Sequence, residues 1–196
     1  TGNDNTAVGY RALITNTTGI SNVAVGRSSL EANTSDDNTA VGVISLTSNT
    51  TGTNNTAVGR SSLSSNTTGN DNTAVGYQAM RDTSASNNTA VGRAALILNT
   101  VGTDNVAVGQ SSMLFTTTGS SNTCIGRSAG ENITTGSDNV CIGRSAGPPG
   151  GSATLSNQII IGANYSPATV ANSAFINNIR GTTTNVVDAV AVLIDS

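Results

Sequence analysis

A short motif runs through this chain from polar to apolar: Asn, then Thr or Val, then Ala or Cys, then Val or Ile, then Gly. Nine copies end at Gly9, Gly26, Gly42, Gly59, Gly76, Gly92, Gly109, Gly126 and Gly143. A tenth, Ile159-Ile160-Ile161-Gly162, follows after an insertion. Successive glycines lie 16 or 17 residues apart, with a last step of 19. The fourth residue past the glycine is Leu13, Leu30, Leu46, Leu63, Met80, Leu96 or Met113 in the first seven units, then Gly130 and Gly147. The third is always Ala or Ser, and near the tenth comes a turn, usually Thr-Gly, as at Gly52 and Gly69. A disordered chain has no physical reason to keep register from Gly9 to Gly162.

A period near 17 is too short for the common helix-pair repeats, and the units contain no 3.6-residue apolar stripe. β-Branched residues bracket the motif instead. Each unit therefore predicts one coil of short strands joined by glycine-centred turns, where glycine supplies φ > 0. Stacked coils make an all-β parallel β-solenoid of about ten 16–17-residue coils over residues 1–162, with 163–196 as a C-terminal capping or stalk segment. Equivalent residues then form ladders. Asn5, Asn22, Asn38, Asn55, Asn72, Asn88, Asn105, Asn122 and Asn139 are expected to stack with their amides hydrogen-bonded along the pile.

Side chains alternate along a strand, so Thr6 and Val8 share one face and Ala7 takes the other. The Val slot is always Val or Ile, and the Ala slot is never polar. Strands apolar on both faces are covered on both. The coil interior covers one face, and an identical chain is the expected cover for the other. A homotrimer is the natural arrangement for a fibre.

Composition narrows the function. Charged residues are only 10% of the chain, against about a quarter in ordinary soluble domains. With eight Arg, no Lys and a net charge of −3 there is no general basic footprint for nucleic acid. The longest apolar run, Ala189 to Ile194, is far short of a membrane span. The absence of His removes an imidazole base and the commonest zinc ligand. Asp4, Asp37, Asp71, Asp104 and Asp138 sit five residues before a motif glycine, alternating with Ser or Asn. That repetition suits turns, where Asp bonds its own backbone, better than a catalytic carboxylate pair. No catalytic residue, metal site or cofactor is expected. Cys124 and Cys141 share one slot in adjacent coils, within reach of a disulfide, but each replaces an Ala, which favours free packed thiols.

One row carries a candidate binding role. Directly after the motif glycines stand Tyr10, Arg27, Arg60, Tyr77, Arg93, Arg127 and Arg144, interspersed with Val43 and Gln110. The row could be a seam where Arg meets the Asp turns of a neighbouring copy, a surface for a cell-surface glycan or receptor, or a solvated edge.

The hexads Asp138-Asn139-Val140-Cys141-Ile142-Gly143 and Asn157-Gln158-Ile159-Ile160-Ile161-Gly162 resemble the Asn-Ser-Val-Ala-Ile-Gly repeat of trimeric autotransporter adhesin heads. That resemblance implies a left-handed parallel β-roll, a homotrimer and a role in attachment. The period here is longer, and most units carry Thr where that family has Val. Residues Asn172 to Gly181, leading into Val186 to Ser196, resemble the stalk preceding the intramolecular chaperone of endosialidase-type phage tail fibres and spikes. This second resemblance implies that Ser196 lies near a maturation cleavage or an excised end. The expected function is a non-enzymatic structural fibre segment with an adhesive role, extracellular on a virion tail or bacterial surface. An ice-binding solenoid, suggested by Thr17-Thr18, Thr50-Thr51 and Thr67-Thr68, is the alternative, and a glycan-degrading tailspike a second one.

Overall fold

In a computed structural model, which describes residues 2–148, 150, 154–164 and 172–176, the chain is a parallel β-solenoid. Each motif contributes one three-residue strand: β1 (Thr6–Val8), β2 (Val23–Val25), β3 (Thr39–Val41), β4 (Thr56–Val58), β5 (Thr73–Val75), β6 (Thr89–Val91), β7 (Val106–Val108), β8 (Thr123–Ile125), β9 (Val140–Ile142) and β10 (Ile159–Ile161). An eleventh strand, β11 (Ala174–Ile176), pairs with β10 although no glycine follows it in the motif position. The strands form one sheet in chain order, every pair parallel and motif-matched, so that Ala24 meets Ala40 and Ala40 meets Ala57. The winding amounts to about nine turns, slightly fewer than the ten expected. Ten motif copies bound only nine complete circuits, and most of residues 163–196, the expected capping or stalk segment, lies outside the described residues.

Hydrogen bonding between coils extends well past the strands. Thr6 N–H donates to the Asn22 carbonyl at 2.8 Å, Gly26 N–H to Val8, Ser28 N–H to Tyr10 and Leu30 N–H to Ser45. This continuous ladder is how a chain with so few large side chains keeps its order.

The interior is thin. Within a coil the small middle residue of the strand faces the Leu or Met slot: Ala24, Ala40, Ala57, Ala74, Ala90 and Ala107 against Leu30, Leu46, Leu63, Met80, Leu96 and Met113, all fully buried. Near the C-terminal end the two slots exchange volume. A Cβ on Gly130 would lie 2.3 Å from the Cys124 Sγ, so the thiol occupies the space that a leucine fills in earlier coils. The layer loses a Leu and enlarges an Ala, with Ile133 closing the remainder.

The turns follow the expected glycine-centred geometry only at the motif glycines. The motif glycines do have positive φ, from 126 to 143°. The Thr-Gly glycines have ordinary φ, and close approach is what they supply: a Cβ on Gly52 would sit 2.3 Å from the Gly69 carbonyl oxygen of the next coil. The left-handed corners fall instead on non-glycine residues, with Gly130 at φ 62° the exception among the described residues. Asp, Asn or Ser takes φ near 57° five residues before each motif glycine, where short polar side chains tolerate that region. Leu13, Leu30, Leu46 and Leu63 take φ of 46–51°. A left-handed leucine costs about 1–2 kcal/mol, and burying its side chain returns roughly 1.5–3 kcal/mol.

Candidate functional site

The asparagine row is structural, in a form more complete than simple amide stacking. At all eight steps from Asn5 to Asn139, the backbone N–H of one asparagine donates to Oδ1 of the preceding one, at 2.8–3.1 Å. Each Nδ2 donates onward to a turn carbonyl of the next coil, as from Asn38 to Gly52, Asn55 to Gly69 and Asn105 to Gly119, each at 2.8 Å. At most steps Nδ2 also reaches back to the previous Oδ1. Asn22 through Asn139 are fully buried in this row. One side chain thus satisfies donors and acceptors in two coils, which a buried amide must do to avoid a desolvation penalty.

A second buried amide row lies outside the motif. Asn33, Asn49, Asn66 and Asn99, seven residues past their motif glycines, are also fully buried. Asn49 Nδ2 donates to Asn33 Oδ1 at 2.7 Å, and Asn66 Nδ2 to Asn49 Oδ1 at 2.9 Å. Asn-Thr recurring seven residues past the motif glycine, at Asn33, Asn49, Asn66 and Asn99, is its sequence signal. Thr83, Thr116 and Ile133 interrupt it.

The outer side of the sheet is where function has room. The middle residue of each strand points inward, while its two neighbours point out. The result is an apolar row on the surface of the single chain: Val8 is 57% exposed, and Val41, Val58, Val91, Ile125 and Ile142 lie between 36 and 41%. Beside it runs a row of partly covered threonines, Thr39, Thr56, Thr73 and Thr89 among them. One threonine of each turn pair in the ice-binding alternative is held by a neighbouring coil, while Thr17, Thr51 and Thr68 are exposed. Thr18 and Thr50 hydroxyls donate to carbonyls of the next coil, and Thr67 is bonded to Ser84.

The row after the motif glycines is exposed throughout, at Tyr10, Arg27, Arg60, Tyr77, Arg93, Arg127 and Arg144. The Arg60 guanidinium lies 6.0 Å from the Tyr77 ring centre, at the limit of cation–π attraction. The ion pairs among the described residues are Arg11–Glu31 and Arg81–Asp82, both outside this row. Its five arginines therefore face solvent without a carboxylate from their own described chain. On the other flank of each strand, Asp4, Asp37, Asp71, Asp104 and Asp138 are exposed as well, held at their left-handed corners.

Cys124 and Cys141 are directly opposed in the β8–β9 register, free and fully buried. A hydrogen bond to the Cys141 thiol, followed by burial, pushes the Cys124 thiol well above its ordinary range. Such a thiol packs as a small apolar group and is a poor nucleophile.

Among the described residues, no three or more His, Cys, Asp or Glu come together as a metal-binding group. No helix among them is long and apolar enough to cross a membrane. No family model matches the chain, and neither does any curated protein or solved structure compared with it.

Proposed function

We propose that this chain is a structural segment of an extracellular fibre, without enzymatic activity, that assembles as a homotrimer and serves attachment. The observation that carries the reading is the outward Val/Ile row. A monomeric solenoid gains nothing from keeping Val or Ile at the same outward position from Val8 to Ile142, part-covered at Val25, Val75 and Val108 and exposed at the rest. Apolar surface repeated coil after coil is a contact surface, and an identical chain offers a matching row at the same rise per coil. The motif resemblance to adhesin heads agrees with three chains wound as left-handed rolls, and the C-terminal resemblance with a tail-fibre shaft. Attachment to a surface glycan or receptor belongs to the same reading. Sedimentation equilibrium or native mass measurement tests it directly. A trimer mass at micromolar concentration is expected; a monomer there would remove the reading's foundation.

A second reading, ice binding, draws on the threonine row of the sheet face, which is regular over β3 to β6. Thermal hysteresis in a dilute solution of the chain would support it. Its absence leaves the fibre.

A further inference from the structure

Two rows flank the outward apolar face, and both run on a period of two coils. Aspartate occupies the corner before the strand in coils one, three, five, seven and nine; Ser or Asn occupies it in the coils between. Arginine follows the motif glycine in coils two, four, six and eight, as Arg27, Arg60, Arg93 and Arg127. The coils that carry Asp have Tyr, Val or Gln there, except coil nine, which has both Asp138 and Arg144. Positive and negative charges therefore alternate along the stack on opposite flanks of one apolar row. Each row repeats every ~10 Å, twice the ~4.8 Å strand spacing. Neither finds an opposite charge within the described chain.

We infer that the arginine row of one copy docks against the aspartate row of a second copy, closing the seam over the Val/Ile face and fixing its alignment. The inference rests on the assembly proposed above and adds the residues and their pairing. A partner must present charge of both signs at the same two-coil period to satisfy both flanks, and a second copy of this chain does so by construction. In a ring with its axis along the stack, equivalent coils stand level. Each of Arg27, Arg60, Arg93 and Arg127 then faces a coil whose corner is Ser or Asn, with an aspartate one coil above and another one coil below, ~5 Å away along the axis. A guanidinium presents donors on both sides and can bridge the two. An acidic polysaccharide would use the arginines alone and leave the aspartates unmatched.

The test compares the full chain with R60Q/R93Q, with D71N/D104N and with the quadruple variant, measuring the dissociation constant of the assembly at low and high salt. Asn tolerates the left-handed corner as Asp does, so the coil is retained, and circular dichroism checks it. Either double variant is expected to weaken assembly about ten-fold at low salt, with a smaller effect at high salt. The quadruple variant is expected to lose little more than either double, because paired charges are not additive. R60E/R93E should lose most. Additive losses, or unchanged assembly in all variants, overturn the charge pairing and leave the apolar seam standing. A monomeric parent chain overturns both. Heparin binding by the intact assembly that R60Q/R93Q abolishes also overturns the pairing, since the row is then free for an anionic ligand.

Discussion

At the scale of single residues, this fold depends on side chains that work in two coils at once. Asn72 is the clearest case. Its Oδ1 accepts from the Asn88 backbone N–H at 3.0 Å, and its Nδ2 donates to the Ala85 carbonyl at 2.8 Å and the Asn55 Oδ1 at 3.0 Å. Asn72→Ala leaves buried partners in neighbouring coils unmatched, at a cost of about 1–3 kcal/mol for each group. Urea unfolding is expected to show a larger loss for Asn72→Ala than for Asn5→Ala, whose site is only partly buried and has no coil before it among the described residues. Equal losses would mean that the row matters only through its backbone. Gly130 poses the opposite problem, one of volume. It already takes φ of 62°, close to the corner angle of the leucines it replaces, so backbone strain does not forbid a side chain. What forbids it is the Cys124 Sγ. Gly130→Leu alone should overpack the layer and cost roughly 1–3 kcal/mol. Adding Cys124→Ala recreates the Ala–Leu pairing of the earlier coils and should recover most of that loss in a thermal melt.

At the scale of the coil, stability is a sum of near-identical layers, each touching only its neighbours. Deleting one whole period, Arg60 through Gly76, joins Gly59 to Tyr77 and leaves every remaining ladder in register. The shortened chain is expected to fold with a reduced unfolding free energy and an unchanged β-type circular dichroism spectrum. Removing half a period, residues 60–67, brings inward and outward positions out of line and should abolish cooperative unfolding. These layers are legible in the amino-acid sequence because the repeat is short and strict. The strand positions, the parallel order, the inward Ala slot and the Asn5-to-Asn139 row all follow from glycines spaced 16 or 17 apart. The corners are not legible in the same way. Local preference points to Gly as the left-handed residue, yet leucines and Asp, Asn or Ser take those angles, because tertiary burial outweighs that preference. The second asparagine row is hidden among turn-like Ser, Asn and Thr residues, whose composition looks the same whether the side chain faces water or the interior. Nor does the spacing alone reveal that the Cys slot and the Leu slot trade volume, since that requires the two to be seen in one layer.

At the scale of the whole molecule, the question is what a narrow solenoid does with an apolar outer row. The candidate row of Arg and Tyr is legible as a stripe, but its meaning depends on the Asp row across the strand, and the two come together only on the folded sheet. The apolar row between them can be challenged without disturbing the coil. Val58 and Val91 are more than a third exposed in the single chain. Replacing both with Asp should cost an isolated coil little, as surface substitutions ordinarily stay within about 0.5 kcal/mol. Buried in a seam between copies, each new carboxylate loses its water and competes with the aspartate row for Arg60 or Arg93, and a buried charge left uncompensated costs about 3–5 kcal/mol. The V58D/V91D chain is therefore expected to run as a monomer in sedimentation, with the β-type circular dichroism of the parent. Ala74→Asp places the same charge on the inward slot, at a fully buried position, and should unfold the coil at any concentration. This contrast separates seam from core. If V58D/V91D assembled as tightly as the parent, the outward row would face solvent in the assembly, and the contact between copies proposed above would have to lie elsewhere on the coil. If it unfolded as Ala74→Asp does, the row would be part of each coil's own stability. Only dissociation with the fold retained fits a chain whose strands are covered on one face by their own coil and on the other by its copies.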